Sequence, residues 1–443
     1  MTSKPHTQRV KTTERFKEMI PKSLNQVEIK KITKKVTGRA GLNWIEGSLE
    51  HVGFFEKIDE LVPVKGLSNK AMPMSVKLGS EIVSRIDGSG AIEDVEVLRR
   101  DAGYLRIRGE RIAGADTIRT MLNADETEHC QKAVNRWLVI EAMKRSTEES
   151  FTYDNDATYC ESAKKSASYS YRETQDHSAL LGFIVELGMC ATMDFRTGNI
   201  SPRTGIVEQL EESIAIAKEA GKRISRVRID SAGHSNDVFN TCRDNDIEFY
   251  VTLAQNTAVK EIIRGLKEQD WCAFGETDRE ITESVYVTNE GASARMIVLR
   301  WHKKQGELFT ENYFYHVVGT SNDTALAEEI IKTHSGRMGS ENYNKELKDG
   351  YNCEWAPSHR FRMNANYFYA GVLACNCVEI VKRFFIGCKE TIRYRIKRFR
   401  QWFIKICGNV IKTGRKYYFQ VINVTDKSHE MVCAVWQRLQ YDW

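Results

Sequence analysis

The chain is poor in proline, with six in 443 residues, and it shows no internal repeat or low-complexity tract. That excludes long proline-rich linkers and a repeat solenoid. It has no run of 18 apolar residues, so no stretch reads as a membrane-spanning helix. Its opening residues, MTSKPHTQRVKTTERFK, lack the apolar core of a secretory signal. The eleven cysteines are odd in number and scattered, with no CxxC pair, which argues against a disulfide framework or a zinc knuckle. Cys375 and Cys377 fall in an apolar helical stretch, where buried thiols are expected rather than metal ligands. Together these absences lead us to expect a soluble intracellular protein with reduced cysteines and no membrane partner. An excess of one charge is also missing, since the net charge is only +5, so total charge does not announce nucleic acid.

What is present is globular in character. Hydrophobic residues make up 41% and charged residues 28%, and the length predicts two or three domains or subdomains. Residues 1–145 read mainly as helices, with apolar spacing such as Ile82, Val83, Ile86 and Val134, Trp137, Leu138. From Phe151 the pattern turns to strands: FTYDNDA, SASYSYRE and LLGFIVELGMCATMDF. A helix follows from Ile206 with Gly221 as its stop, then the strand RVRID, a helix over about 235–243, and the strand IEFYVTLA. Three strands followed by alternating βα units predict an α/β fold with a mixed sheet flanked by helices. A β-rich stretch over about 255–322 reads as an insertion, and helices resume near Asp323. We therefore expect a core over 146–380 and a separate C-terminal segment over 381–443. Between Val381 and Lys416 that segment carries twelve Lys or Arg against one acid, Glu390. Within it, Ile392, Ile396, Phe399, Phe403 and Ile406 form an apolar stripe whose other faces are basic, Arg393 and Arg398 among them. Such a surface suits phosphate tracking.

The candidate chemistry lies in carboxylates. Asp230 closes the strand RVRID, and in α/β sheets the carboxyl ends of strands are where sites collect. It reads equally as a turn or helix cap. Asp154 and Asp156 lie two apart, so they share one face of a strand. In HSGRMGSENYNKELK, Arg337, Glu341 and Lys348 fall at spacings of four and seven, which puts them on one helix face, extended by His334 and Lys345. Arg337 with Glu341 is also an ordinary surface ion pair. Three converging carboxylates would repel one another unless cations neutralised them, and Mg²⁺ prefers such oxygen ligands. Arg and Lys beside them suit phosphate oxygens.

With these residues in view, the sequence resembles the DDE transposases of bacterial insertion sequences, in the branch marked by Tyr-x2-Arg-x3-Glu-x6-Lys. Arg337, Glu341 and Lys348 match that spacing, and His334 stands in place of the tyrosine. Asp156-Ala-Thr158 is similar to the first acid in its setting, and IDSAGH to the second. RMGSENYNKELKDGYN resembles the third-acid block, HRFRMNANYFYAGVLACN the helix after it, and the basic segment the family's basic C-terminal part. The resemblance implies an RNase H-like core with a β-rich insertion before the third acid. It further implies Asp156, Asp230 and Glu341 as catalytic metal ligands, with Asp154 as rival for the first position. The implied cofactor is a pair of Mg²⁺ ions, with Mn²⁺ able to substitute. The implied activity is cleavage at transposon ends and strand transfer into target DNA, with double-stranded DNA as partner. A homodimer on paired ends, bacterial cytoplasmic localisation and end recognition by the N-terminal region are expected by the same analogy. Phosphate or DNA contacts are expected from Arg337, Lys348, His334, Lys345, Arg393 and Arg398. Trp301, or else Trp271, is a candidate for stacking a base, against core packing. His177 and Arg196 are weaker candidates for lining the site.

Overall fold

Strand β1 (Ser150–Glu161) is the axis on which the rest is arranged. A computed structural model describes residues 35–63, 72–109, 111–302, 313–422 and 424–443. On one side β1 pairs antiparallel with β3 (Gln175–Ile184), which pairs in turn with β2 (Ser168–Tyr169) and β4 (Met189–Thr197). On the other side it pairs parallel with β5 (Arg223–Ile229), and β5 pairs parallel with β6 (Glu248–Thr252). The run LLGFIVELGMCATMDF, read as one strand, is two. It reverses at Val185–Gly188, where Gly188 takes a φ of 61° that a side chain would oppose.

The β-rich stretch before the third acid does not form a sheet of its own. Strands β7 (Cys272–Ala273), β8 (Arg279–Val287), β9 (Ser293–His302) and β10 (Tyr313–Thr320) extend the central sheet, because β10 pairs antiparallel with β6. The sheet is therefore mixed and runs β2-β3-β1-β5-β6-β10-β9-β8-β7, with β4 on β3.

Helices cover it. Described residues before β1 form α1 (Ala40–Val52), α2 (Phe54–Leu61), α3 (Met74–Asp87), α4 (Val95–Arg100), α5 (Ala102–Arg108), α6 (Ala115–Leu122) and α7 (Asp125–Arg145). After β4 come α8 (Ile206–Glu219), α9 (Asn236–Asp244) and α10 (Thr257–Gly265); after β10 come α11 (Ala327–Ser335), α12 (Met338–Tyr351) and α13 (Phe361–Ile380). Helix α13 is buried at nearly every position, so its pattern lacks the polar face of a surface helix. Each fully buried Val or Leu on it, such as Val372 and Leu373, contributes about 1.5–3 kcal/mol relative to exposure. Its Asn376 is satisfied internally: it donates to Asn135 Oδ1 at 2.7 Å and accepts from the Cys190 amide at 2.9 Å. Val36–Trp443 form one unit, with apolar residues from Ala40 to Val435 in a common core. Cys375 and Cys377 lie in that core as free thiols.

The basic segment is not one amphipathic helix. It breaks into α14 (Lys389–Ile392) and α15 (Ile396–Phe399), with π-helical turns at Val381–Ile386 and Arg400–Ile404. A hairpin of β11 (Cys407–Thr413) and β12 (Lys416–Ile422) and then α16 (Asp426–Arg438) follow. Part of the break has a cause in packing. Arg400 turns inward and donates to the carbonyls of Ile86, Arg85 and Gly350 at 2.6–2.7 Å, which ties the segment to the C-terminal ends of α3 and α12.

Candidate active site

Parallel pairing of β1 with β5 puts Asp154 opposite Arg228 and Asn155 opposite Ile229. One step further along, Asp156 comes beside Asp230, which follows β5 directly. The β1–β5 pairing stops there, so Asp230 lies just past the carboxyl end of β5, while Asp156 lies within β1, which runs on beside β3 to Glu161. Asp230 also closes its own turn, accepting the Ala232 amide at 2.9 Å, so both readings of that residue hold locally.

Helix α12 lays its inner face across β1. Tyr343 stacks on Phe183 at 4.9 Å and donates to the Val185 carbonyl at 3.3 Å. Lys348 donates to the Tyr159 carbonyl, and Asn344 donates to Asp156 Oδ2 at 2.7 Å. Arg337, at the start of α12, lies 3.5 Å from Asp156 Oδ1 and 3.8 Å from Glu341. Glu341 itself is open, its side chain 65% exposed, whereas that of Asp156 is 13% exposed.

Burial pushes the Asp156 carboxyl up to about 7, the Arg337 guanidinium opposes that, and the nearby charges of Asp230, Glu341 and Asp154 add to it. A carboxyl that burial, and secondarily its acidic neighbours, keeps protonated would ionise more readily beside a cation. Hard oxygen donors of this kind fit Mg²⁺ or Mn²⁺. Among the described residues no three His, Cys, Asp or Glu side chains are gathered at ligating distance, and Arg337 holds the space between Asp156 and Glu341.

Asp154 is engaged elsewhere. It is fully buried and takes two bonds of 2.7 Å from Arg228, whose third nitrogen donates to the Thr333 carbonyl at 3.1 Å. Arg228 also lies beside a break in the signature stretch, where the spacing predicts one helix. Helix α11 ends at Ser335 and α12 begins at Met338. A Cβ on Gly336, between them, would stand 2.1 Å from Arg228 Nη1.

The break separates His334 from the helix face that the spacing assigns it. His334 is buried at the end of α11, its Nε2 3.1 Å from Thr252 Oγ1. Burial, aided by His316 and Arg337, pushes its pKa down to about 3, so the ring is neutral. Lys348 also differs from expectation, since its ammonium is committed to a carbonyl of β1. Lys345 is exposed. Trp301 is half-buried in β9 with Arg279 at 5.0 Å from its ring, and Trp271 is capped by Arg300 at 4.0 Å. Both rings are packing partners here. His177 is buried against Phe195, and Arg196 is buried and bonded to the Thr204 carbonyl, so both serve the sheet edge.

In the basic segment Lys389, Arg393, Arg395, Lys397, Arg398 and Lys405 are exposed. Glu390, the one acid there, is neutralised by Lys427 and accepts from Tyr394 at 2.8 Å. Arg395 donates to Asn342 Oδ1 at 2.7 Å, so the cationic surface adjoins the exposed side of the helix that carries Glu341. Sequence reasoning misses Asn344. Its signal is there, because it lies three positions after Glu341 and four before Lys348, on the same side of the helix.

A family model described as transposase DDE domain, group 1, matches residues 21–441. No curated protein matches the chain in sequence. Among solved structures, that of a piggyBac transposase synaptic complex with hairpin DNA is similar at a TM-score of 0.47 and 11% identity, covering 80% of this chain and 78% of that one.

Proposed function

Because the chain belongs to the transposase DDE domain group 1 family, we propose that it cuts DNA at transposon ends and joins those ends to target DNA. Asp156, Asp230 and Glu341 are the acids that carry the reaction. The observation behind this reading is the geometry at Asp156, which the β1–β5 pairing brings beside Asp230 and which Arg337 bridges to Glu341, at 3.5 Å from Asp156 and 3.8 Å from Glu341. Asp154 does not share the role, because Arg228 neutralises it within the protein.

The strand order β4-β3-β1-β5-β6, with three antiparallel strands followed by two parallel ones, supports an RNase H-like core. Asp156, Asp230 and Glu341 would hold two Mg²⁺ ions, which would supply charge neutralisation at the phosphate and a lowered pKa for an attacking water or hydroxyl. The protein's own residues align and hold the DNA. Arg337, placed between Asp156 and Glu341, is suited to grip a phosphate oxygen with its fork. Lys345 and the exposed Arg393 and Arg398 track the backbone outward from the site. A dimer on paired ends, in a bacterial cytoplasm, completes the proposal.

Precleaved ends taken from the DNA flanking the coding region, mixed with a target plasmid and Mg²⁺, test it. Joined products are the expected result. Hydrolysis without joining would make the protein a nuclease, and no metal-dependent reaction at all would make it a DNA-binding protein without catalysis.

A further inference from the structure

Asp156 has two oxygens in different company. Asn344 Nδ2 bonds Oδ2 at 2.7 Å, while Oδ1 faces the Arg337 guanidinium at 3.5 Å. We propose that Asn344 is the positioning residue of the first acid, fixing Asp156 so that Oδ1 is the oxygen it offers to a cation. This rests on the metal-dependent reading above and adds to it which side chain orients the ligand.

The amide is well placed for that work. Asn344 is 7% exposed, and its own Oδ1 is buried with no hydrogen-bond partner among the described residues. With Asp156 ionised, as a metal ligand must be, turning the amide over would set that oxygen against Asp156 Oδ2, two acceptors with no proton between them, so the donor orientation is the one that suits the ionised acid. The helix cannot slide to relieve it, because Tyr343 on Phe183 and Lys348 on the Tyr159 carbonyl pin α12 on either side. An amide donor is also neutral. It orients the carboxylate while leaving its full charge for a metal, whereas a Lys or Arg in that place would compete with the ion.

Arg337 contributes the complementary observation. Its guanidinium lies where Asp156 Oδ1 and Glu341 open toward each other, at 3.5 and 3.8 Å. A divalent ion entering between those acids replaces the charge of the guanidinium and leaves the Asn344 bond on Oδ2 in place. Partners of this kind, one shell out from a metal, typically carry about 10- to 100-fold in metal affinity.

The test is calorimetric titration of Mn²⁺ into the full chain, with the melting temperature of each variant measured in parallel. Asn344→Leu, which keeps the volume and removes the donor, is expected to raise the Mn²⁺ dissociation constant by about 10- to 100-fold. Tyr343→Phe, which loosens the docking of the same helix, is expected to leave the dissociation constant at the wild-type value. An unchanged constant in Asn344→Leu overturns the inference, as does an equal loss in both variants. Should Asn344→Leu fail to fold, Asn344→Ala, which also removes the donor, carries the same expectation with less bulk. A wild-type chain that binds no Mn²⁺ overturns the metal reading and this inference with it, whereas Mn²⁺ binding that ignores Asn344 overturns the inference alone.

Discussion

Asp154 and Arg228, facing each other across β1 and β5, form a doubly hydrogen-bonded ion pair inside the protein, both bonds 2.7 Å long. Two residues further along the same strands the partnership changes, because Asp156 meets Asp230 instead of a second arginine. The first pair is closed and electrically neutral. The second brings two acids together, with Arg337 3.5 Å from Asp156 Oδ1.

Breaking the closed pair from one side strands a buried charge. Arg228→Met should lower stability by about 3–5 kcal/mol in urea unfolding, and Asp154→Leu with Arg228→Met together should recover much of that loss. A single replacement costing less than about 1 kcal/mol, the range of exposed pairs, would mean that the pair is solvated.

The raised proton affinity of Asp156 sets a pH dependence. An acid whose folded-state pKa lies above its unfolded value, about 4, stabilises the fold while protonated. That contribution is complete below the unfolded value and is lost as pH rises through about 7. In chelator, the melting temperature of the wild type relative to Asp156→Asn should therefore fall between pH 4.5 and 8. Parallel curves for the two proteins would place Asp156 in an ordinary solvated setting.

Cations with different surroundings should behave differently on DNA. Replacing the exposed Arg393 and Arg398 by Ala should make log K against log salt shallower, by about 0.9 for each phosphate no longer neutralised. Lys348→Ala should instead lower the melting temperature and leave the slope alone, since its ammonium anchors α12 to β1. Filter binding across a salt series separates the two, and a slope that changes with Lys348 would return that residue to the DNA backbone.

Much of the fold, and the placement of the candidate site residues on it, is legible in the sequence because the signals are local. The strand ending in Asp230, the helix beginning at Ile206 and the α12 spacing of Arg337, Glu341 and Lys348 each depend on residues a few positions apart. Features set by distant partners escape such a reading. Nothing near Asp154 announces Arg228, 74 positions away, yet that arginine neutralises one candidate acid and occupies the space beside Gly336 where the spacing predicts a continuous helix. His334 matches a signature position by spacing, but the turn at Gly336 and Arg337 sends it into the interior. The basic segment likewise has the apolar stripe of a helix, and inward bonds from Arg400 accompany its division into short turns.

The decisive measurement is Mg²⁺-dependent cleavage of DNA bearing the ends that flank the coding region, by wild type and by Glu341→Gln, with binding of the same DNA monitored alongside. Three acids sharing the metal require cleavage by the wild type, and binding without cleavage by Glu341→Gln. Cleavage retained in Glu341→Gln would remove that acid from the site and contradict the proposed chemistry.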